Sequence, residues 1–454
     1  MRKYFGTDGI RRIANTELSP ELVYKVAKAG AYVLSKHTDH APTILIGRDT
    51  RISGTLIESA MVAGFLSYGA NVKLLGVTST PSVAYLTKKL NADASVVISA
   101  SHNTYEFNGV KYFSNKGMKI SDEIEEEIEE IMDSNRLEEL TAKNDKIGVS
   151  EYKEEYLEEY INFIEGIFKE SITKNNNSNF KVGIDVANGA TYKLAERIFK
   201  DLGINCEIIN NNPDGININD NCGSTHLDNL KKLVVEKKLD LGIAYDGDGD
   251  RCLAVDENGN EIDGDVFLAI TSRYLKEKGE LSKDTLVATV MSNLGLNKFS
   301  KENGIDLKQT KVGDRYVLEE MLKEGYNLGG EKSGHIIFLD YNPTGDGILS
   351  SLMLVKILLE KNMKVSDLCK IINIYPQVLV NAKVASEKKY DYEKDEEIKS
   401  AIEKLEKEFE GNGRVLIRTS GTEPLVRVMI EGENQEYIKQ RATELATLIE
   451  QKLK

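Results

Sequence analysis

The sequence lacks several features that would place a protein in a common structural class. Its 454 residues include four cysteines, Cys206, Cys222, Cys252 and Cys369, and no two of them have CxxC spacing. This scatter indicates neither a disulfide framework nor a zinc site. No apolar run approaches the roughly 20 residues that a membrane-spanning helix needs, and the N-terminus lacks the apolar core of a signal peptide. We therefore expect a cytoplasmic protein with no membrane partner.

Positive charge is also in short supply. Lysine and arginine number 59 against 73 aspartates and glutamates, and the formal net charge is −14. A strongly acidic chain is a poor match for the phosphate backbone, which argues against nucleic acid as a partner. An anionic substrate must therefore be attracted by local arginines and a bound metal. The length exceeds what one hydrophobic core can organise, so we expect three or four domains.

One pattern recurs three times along the chain: strand, polar loop, helix, glycine, strand. Its copies begin at Thr43, Lys181 and Thr285. This repetition predicts three related α/β domains with mixed sheets. After Lys364 the order becomes β-α-β-β-α, which predicts a smaller C-terminal α+β domain, and we expect loops from all four to converge on a central cleft. The predicted boundaries are 1–150, 151–252, 253–366 and 367–454.

An acidic segment, Ser121–Ile131, lies between the first and second repeats. Ile124, Ile128 and Ile131 fall on one helical face, so the segment is predicted to be an amphipathic helix. We expect its glutamates to coat a solvated surface.

The first chemically informative stretch is Ala94-Ser-Val-Val-Ile-Ser-Ala-Ser-His-Asn103. A short β-branched run, typical of a buried strand, ends abruptly in small and polar residues. Ligands bind at the carboxyl ends of strands in open α/β sheets, which makes Ser99 and Ser101 candidate nucleophiles. A lone serine here would more often cap a helix or complete a turn. The other motifs of the chain favour the catalytic interpretation.

Asp246-Gly-Asp-Gly-Asp250 places three carboxylates at alternating positions. The glycines let the backbone turn so that the side chains can meet one hard cation. An EF-hand is the obvious rival, but its sixth position would be Arg251 instead of glycine, and the flanking segments look like strands. A structural acidic turn would leave three like charges without a counterion. We favour a Mg²⁺ site.

Two further loops are rich in groups that recognise sugars and phosphates. The loop Gly330-Glu-Lys-Ser-Gly-His335 superficially resembles a Walker loop because Gly325 and Gly330 have its glycine spacing, but Glu331 stands where the lysine is required. Hydroxyl recognition on a sugar suits it better, and a plain polar turn is the alternative. Arg418-Thr-Ser-Gly-Thr422 joins two strands and combines hydroxyls, a glycine and arginine forks, which are the groups that bind phosphate. The alternative there is a surface hairpin with an Arg418–Glu423 ion pair.

Together these motifs resemble the α-D-phosphohexomutase superfamily. Its members carry a Ser-His-Asn active-site loop, a DGDGDR metal loop, a GExSGH sugar loop and an RxSGT phosphate loop, and all four occur here in that order. Three segments resemble members that act on glucosamine phosphates: Tyr4–Arg11, Val312–Val317 and Gly329–Ile336. Thr104 and Lys332 stand where the superfamily usually has proline and glutamine.

The resemblance implies that Ser101 carries a phosphoryl group in the resting enzyme. That group passes to O1 of glucosamine 6-phosphate and gives glucosamine 1,6-bisphosphate. The intermediate turns around, returns its 6-phosphate to Ser101 and leaves as glucosamine 1-phosphate, a precursor of UDP-N-acetylglucosamine and the cell wall. Phosphoserine brings a charge of about −2 beside three aspartates, so one Mg²⁺ per subunit is expected.

The resemblance also implies a set of site residues. The catalytic candidates are Ser101, His102, Lys111 and Arg11. The metal ligands are Ser101, Asp246, Asp248 and Asp250. The substrate-binding candidates are Arg251, Glu331, Ser333, His335, Arg418, Ser420, Gly421, Thr422 and Arg427.

Other functions stay open at this point. The same mechanism serves a phosphomannomutase or phosphoglucomutase, and a non-catalytic sugar-phosphate sensor would keep the anion-binding loop. A sugar kinase would need a nucleotide loop, which the sequence does not offer. The expected partner is a small hexosamine phosphate, and because the family often dimerises, a homodimer is compatible with the resemblance.

Overall fold

The computed structural model of the protein describes residues 3–6, 8–134, 136–175, 180–420 and 423–454. These residues form two compact units. The larger comprises Met1–Met291 and Ile305–Lys370, and the smaller comprises Ser292–Gly304 and Ile371–Lys454. Helices and strands are numbered here in chain order.

The first sheet of the larger unit has six strands in the order β1-β5-β4-β2-β3-β6. Strands β2, β3 and β4 are parallel, and β5 is antiparallel to both β4 and β1. Ser19 caps α1 through its Oγ, and proline follows at the first helical position. The elements are β1 (Ile10–Ile13), α1 (Pro20–Ser35), β2 (Thr43–Arg48), α2 (Gly54–Tyr68), β3 (Asn71–Val77), α3 (Thr80–Lys89), β4 (Ala94–Ile98), β5 (Phe107–Ser114), α4 (Asp122–Met132), α5 (Arg136–Glu139) and β6 (Ser150–Tyr152).

The second sheet has the order β11-β10-β9-β7-β8, with β7, β8 and β9 parallel and β9 and β10 forming a hairpin. The aspartate-rich loop is the turn of that hairpin. The elements are α6 (Leu157–Asn175), β7 (Lys181–Asp185), α7 (Tyr192–Asp201), β8 (Asn205–Ile209), α8 (Asp228–Lys237), β9 (Leu241–Tyr245), β10 (Cys252–Asp256) and β11 (Glu261–Ile262).

The third sheet has the order β13-β12-β14-β15, and the antiparallel pair β14 and β15 is joined by the loop that contains Glu331. The elements are α9 (Gly264–Lys278), β12 (Thr285–Thr289), α10 (Leu294–Glu302), β13 (Asp306–Thr310), α11 (Asp314–Glu324), β14 (Leu328–Gly330), β15 (Ile336–Phe338), α12 (Gly347–Lys361) and α13 (Val365–Cys369).

The smaller unit contains an antiparallel sheet in the order β16-β18-β17. Its elements are β16 (Gln377–Lys383), α14 (Glu396–Phe409), β17 (Gly413–Thr419), β18 (Leu425–Gly432) and α15 (Gln435–Leu453). Helix α10 also belongs to this unit. The Asn293 side chain that caps α10 donates to the Tyr375 carbonyl and accepts from the Tyr375 amide, both at 2.9 Å.

The fold class predicted from the sequence is confirmed. The three strand–loop–helix–strand repeats are β2 to β3, β7 to β8 and β12 to β13, and the C-terminal order is β-α-β-β-α. The four domain boundaries stay a prediction. In the part of the chain that the structure describes, no helix combines the length and the apolar character that crossing a bilayer requires.

The expectation for the acidic helix α4 is wrong in one respect. Glu125 and Glu129 are buried. The Glu129 carboxylate accepts hydrogen bonds from the backbone N–H groups of Lys3, Tyr4 and Phe5 at 2.6 to 2.7 Å. A buried carboxylate is tolerated when several donors satisfy it. This face of α4 therefore anchors the N-terminal segment instead of facing water.

Candidate active site

Three of the four predicted loops meet within the larger unit. They are the serine loop after β4, the aspartate loop between β9 and β10, and the loop between β14 and β15. A cleft of about 510 Å³ opens beside them, and its lining includes Asp8, Arg11, Asp250, Glu331 and His335. The lining of the cleft carries charges of both signs, which suits a small, charged and hydroxylated ligand.

Ser101 lies just beyond β4 with a positive φ of 52°, which is uncommon for a residue with a side chain. Its Oγ donates to Asp246 Oδ2 at 2.7 Å, and His102 Nδ1 lies 3.4 Å from the same oxygen. The Ser99 Oγ is engaged elsewhere, because it donates to Asp49 Oδ2 at 2.6 Å and accepts from the Ser101 amide at 2.9 Å. Of the two serines, Ser101 is therefore the one that faces the aspartate loop.

The backbone around Ser101 is held by donors that sequence reasoning missed. The Arg51 guanidinium donates to the carbonyl oxygens of Ser101 at 3.0 Å and Asn103 at 2.8 Å, and also to that of Thr104. Asn219 Nδ2 donates to the carbonyl oxygens of Ser101 and Asn103, each at 2.9 Å. The only sequence feature that could have indicated a role for Arg51 was its place in a polar loop at the end of β2. No sequence feature indicated a role for Asn219.

The aspartate loop brings Asp246, Asp248 and Asp250 together as predicted. One oxygen of each lies within 4.8 Å of the others, and all three are buried. Among the described residues, no hydrogen-bond donor reaches Asp248 Oδ1 or Asp250 Oδ1. Converging, unpartnered carboxylate oxygens fit a hard divalent cation. The residues present therefore fit a metal site.

The three carboxylates differ in their electrostatic surroundings. Burial and the carboxylates of Asp250 and Asp248 raise the pKa of Asp246 well above its usual range. Burial acts in the same direction on Asp250, but His335 and Lys111 outweigh it and lower the pKa of Asp250. Asp246 thus has less local compensation than Asp250, and an added cation would favour its charged form.

Lys111 is the main positive charge next to the aspartate loop. Its Nζ lies 2.9 Å from Asp248 Oδ2, 3.1 Å from Asp8 Oδ2 and 3.9 Å from Asp250 Oδ2. Although burial opposes it, these carboxylates raise the pKa of Lys111 above its usual range. Lys111 therefore stays protonated. Thr80 Oγ1 also donates to Asp248 Oδ2, at 2.7 Å.

A second charge network joins the N-terminal loop to α11. Arg11 donates to Asp8 Oδ2 and to Asn103 Oδ1, each at 3.0 Å. Lys119 Nζ lies 2.6 Å from Asp8 Oδ1 and 2.7 Å from Asp314 Oδ2. Sequence reasoning predicted Arg11 but missed the other members. Asp8 and Asp314 lie in two of the segments that carry the family resemblance, Tyr4–Arg11 and Val312–Val317. Nothing in either segment predicted that the two carboxylates lie near each other.

His102 and Arg251 lie side by side at the edge of the serine loop. The Arg251 Nη1 lies 3.2 Å from His102 Nδ1, and burial together with Arg251 and Arg11 lowers the pKa of His102 to about 4. The imidazole is therefore neutral near pH 7. No hydrogen-bond acceptor in the described chain reaches the buried Nε of Arg251, so this nitrogen can donate to a ligand.

The loop between β14 and β15 contributes Glu331, Ser333 and His335. Burial and the Asp314 carboxylate raise the pKa of Glu331, whose Oε1 accepts from the Gly313 amide at 3.1 Å. Ser333 Oγ is buried, and no described residue hydrogen-bonds to it. His335 lies between Asp250 and Asp314, with ring nitrogens 3.6 and 3.5 Å from their Oδ2 atoms. The unsatisfied Ser333 hydroxyl supports the hydroxyl-binding prediction.

The predicted phosphate loop lies in the smaller unit. Arg418 on β17 and Arg427 on β18 are direct cross-strand neighbours, and within the described chain the buried Nε of each lacks a hydrogen-bond partner. Burial and Arg427 lower the pKa of Arg418. Ser420 is buried, and its Oγ accepts from the Glu423 amide at 3.2 Å. Gly421 and Thr422, also predicted for this loop, lie outside the described residues.

The alternative interpretation of this loop, a surface hairpin, included an ion pair between Arg418 and Glu423, and that ion pair is not formed. Glu423 pairs with Arg427, at 3.3 Å, and not with Arg418. Two adjacent arginines without a shared carboxylate repel each other unless an anion lies between them.

Family models match the chain from end to end. Their descriptions are phosphoglucomutase/phosphomannomutase alpha/beta/alpha domain I at residues 2–139, domain II at residues 158–259, domain III at residues 263–375, and the C-terminal domain at residues 379–448.

Individual relatives agree with this match. The phosphoglucosamine mutases of Ruminiclostridium cellulolyticum and Clostridium acetobutylicum are each 54% identical to the chain, with complete coverage of both sequences. Among solved structures, a phosphoglucomutase/phosphomannomutase family protein from Burkholderia thailandensis superposes with a TM-score of 0.80 at 22% identity, covering 98% of each chain. The Aspergillus fumigatus N-acetylphosphoglucosamine mutase, solved with GlcNAc-6P and magnesium, gives 0.71 at 18% identity and covers 100% of this chain and 96% of its own. These two structures share the fold.

Proposed function

Because the chain belongs to the phosphoglucomutase/phosphomannomutase family, we propose that it interconverts glucosamine 6-phosphate and glucosamine 1-phosphate through a phosphoserine enzyme and a 1,6-bisphosphate intermediate. The protein is an isomerase, and relatives 52 to 54% identical over their full length are phosphoglucosamine mutases. The single observation that carries the mechanism is the placement of Ser101 Oγ 2.7 Å from Asp246, at the edge of three converging buried carboxylates.

In the first transfer, the bond between phosphorus and Ser101 Oγ breaks and a bond to O1 of the sugar forms. O1 loses its proton and Oγ gains one. In the second transfer, the bisphosphate has turned, its O6–phosphorus bond breaks, and the phosphoryl group returns to Ser101 Oγ. Here Oγ loses its proton and O6 gains one. No nucleotide is consumed, because the phosphoryl group lost in one step is recovered in the other.

Asp246, Asp248 and Asp250 would hold a Mg²⁺ ion, and the phosphate on Ser101 would complete its ligands. When bound, the ion neutralises charge that develops on the transferred phosphoryl group. The chain itself supplies a second positive charge through Lys111, which stays protonated among Asp248, Asp8 and Asp250. We assign Lys111 to charge stabilisation for this reason.

His102 and Arg251 would act at the other side of Ser101. The neutral His102 imidazole can accept a hydrogen bond, and Arg251 has an unsatisfied Nε that can donate to a phosphoryl oxygen. Arg11 lies beside Asn103 and Asp8 at the rim of the cleft, where it can stabilise the negative charge of an incoming phosphate.

Sugar hydroxyls would be bound by Glu331 and Ser333. Glu331 retains acceptor capacity beside its bond to Gly313, and Ser333 has an unsatisfied buried hydroxyl. The remote phosphate would be bound by Arg418, Arg427 and Ser420, with Gly421 and Thr422 completing the loop. His335 Nδ1 lies 3.6 Å from Asp250 Oδ2, and its Nε2 accepts from the Gly345 amide at 2.9 Å, so His335 would align the sugar loop with the metal loop.

The experiment that tests the proposal uses dephosphorylated enzyme and glucosamine 1,6-bisphosphate labelled with ³²P. We expect one label per chain, on Ser101, and conversion of glucosamine 6-phosphate to glucosamine 1-phosphate by labelled enzyme. Ser101→Ala should take no label and lose the conversion, while Ser99→Ala should still be labelled at Ser101. Label on Ser99, or full activity in Ser101→Ala, would contradict the mechanism. Parallel assays with glucose, mannose and N-acetylglucosamine 6-phosphates test the amino-sugar preference.

A further inference from the structure

The turn that presents Ser101 needs support from its surroundings. A residue with a side chain disfavours a φ of 52°, because its Cβ crowds the neighbouring carbonyl oxygen. The turn also points several backbone carbonyl oxygens inward, where water does not solvate them. Buried donors must therefore compensate these carbonyls for the turn to persist.

Arg51 supplies most of these donors. Its side chain is completely buried, and its Nε pairs with Asp49 Oδ2 at 2.8 Å. The two remaining nitrogens donate to the carbonyl oxygens of Ser101 and Asn103, at 3.0 and 2.8 Å, of Phe107 at 3.1 Å, and of Thr104. A planar guanidinium presents its donors in a rigid fork, so one side chain fixes the relative positions of four carbonyl groups.

The same network reaches the Ser101 amide from the other side. The Ser101 N–H donates to Ser99 Oγ at 2.9 Å, and the Ser99 hydroxyl donates to Asp49 Oδ2 at 2.6 Å. Asp49 Oδ1 in turn accepts from the Arg51 amide at 3.1 Å. Both backbone polar groups of Ser101 are therefore tied to the Asp49–Arg51 pair.

Asn219 supplies the remaining donor, from the loop that follows β8. Its Nδ2 bridges the carbonyl oxygens of Ser101 and Asn103, each at 2.9 Å. The metal loop passes directly against this bridge, since a Cβ placed on Gly247 would lie 2.6 Å from the Ser101 carbonyl oxygen and 2.7 Å from Asn219 Nδ2. Asn219 thus touches the serine loop at the point where the aspartate loop crosses it.

We propose that Arg51 and Asn219 are positioning residues that clamp the left-handed turn at Ser101 from two domains and thereby aim Ser101 Oγ at the metal site. Neither side chain touches the reacting atoms. The inference rests on the proposed role of Ser101 as the phosphoryl carrier. Arg51 and Asn219 donate to the same two carbonyl oxygens from different loops. A single donor would be enough to satisfy each buried carbonyl group, so the second donor indicates a positioning role.

The principal test is Asn219→Asp, which keeps the size and the tolerance for a positive φ but places a carboxylate oxygen where the amide donated. The matched control is Asn221→Asp, because Asn221 is exposed, lies in the same loop and has a φ of 52°. Asn219→Gly, which also tolerates its φ of 57°, removes the donor without adding charge and covers the case in which the aspartate variant does not fold.

We expect Asn219→Asp and Asn219→Gly to lower kcat by about 10- to 100-fold, with KM for glucosamine 6-phosphate within about twofold of the wild type, because a misaimed nucleophile loses rate and not ground-state binding. The ³¹P resonance of the phosphoserine should shift in both variants and not in Asn221→Asp. Arg51→Lys, which keeps the charge but not the fork, should behave like Asn219→Gly. Arg48→Lys is its control, because Arg48 pairs with Glu58 instead.

An unchanged kcat in both Asn219 variants would overturn the proposal, and so would a rise in KM at constant kcat. A failure of the proposed function gives a different result, because wild-type enzyme would then take no label from the bisphosphate on Ser101.

Discussion

The metal loop permits a prediction in which two neighbouring substitutions have opposite effects. Asp246, Asp248 and Asp250 converge within 4.8 Å. Two unit charges at that distance repel by about 3 kcal/mol at an effective dielectric constant of 20. Asp246 takes part in two such repulsions, and its hydrogen bonds come from Ser101 Oγ and the Arg251 amide instead of a cationic side chain.

Asp246→Asn should therefore stabilise the metal-free protein. The total repulsion on Asp246 is about 6 kcal/mol at this dielectric constant, but Lys111 and Arg251 lie within reach of the cluster and offset part of it. We expect a net gain of about 1–3 kcal/mol, or roughly 1–3 °C in the thermal midpoint. Residues that bind a metal in an active site often destabilise the metal-free protein in this way.

Asp248→Asn is the matched comparison and should have the opposite sign. Asp248 Oδ2 lies 2.9 Å from the buried Lys111 Nζ, so neutralising it leaves a buried cation with less compensation. Lys111 keeps Asp8 at 3.1 Å, which limits the expected loss to about 1–3 kcal/mol.

The assay is thermal unfolding in EDTA and again in Mg²⁺. Saturating Mg²⁺ at a hundred times its Kd should stabilise the wild type by about 2.7 kcal/mol, and both variants should lose most of that increment. If both substitutions shift the EDTA midpoint in the same direction, the like-charge account of the loop is incorrect. If Mg²⁺ leaves the wild-type midpoint unchanged, the three carboxylates are not a metal site.

Two further predictions concern other parts of the chain. Arg418→Ala should raise KM and increase the dependence of turnover on added glucosamine 1,6-bisphosphate, because weaker binding of the remote phosphate lets the bisphosphate intermediate dissociate. If KM is unchanged and turnover does not depend on added bisphosphate, the phosphate site lies elsewhere. Burial raises the pKa of Asp346 to about 6, so this carboxyl group binds a proton more tightly in the folded state than in the unfolded state, and its own contribution to stability should fall as pH rises from about 4 to about 6, by up to roughly 3 kcal/mol. Asp346→Asn keeps the cap on Leu349 and should remove most of that slope in urea titrations at pH 4.5 and 7; an identical slope in the variant would mean that another group causes it.

Local patterns predicted the elements and the loops well. The strand before Ser101 and the hairpin around the three aspartates both follow from properties of a few consecutive residues. Hydrophobic periodicity and turn chemistry depend on residues that are close in the sequence, so a single sequence is enough to recognise them.

Contacts between distant parts of the chain could not be predicted in this way. Asn219 meets Ser101 across 118 residues, and Lys119 meets Asp314 across 195. Nothing in the residues next to Asn219 or Lys119 in the sequence identifies the partner of either side chain. Glu129 shows the converse error: a glutamate in an acidic run looked solvated, but three backbone amides of the N-terminal segment bury and satisfy it.

The composition of the smaller unit matters for anyone who exchanges parts between family members. Helix α10 is encoded between β12 and β13, yet Asn293 exchanges hydrogen bonds with Tyr375, and the Leu294 amide donates to Glu431 at 3.1 Å. Arg414 on β17 also donates to the Ser292 carbonyl at 2.7 Å. A chimera that replaces residues 371–454 alone would separate a module from one of its own helices. A graft that carries residues 292–304 along with the C-terminal segment should keep these contacts, so the exchangeable part is discontinuous in the gene although it is continuous in space.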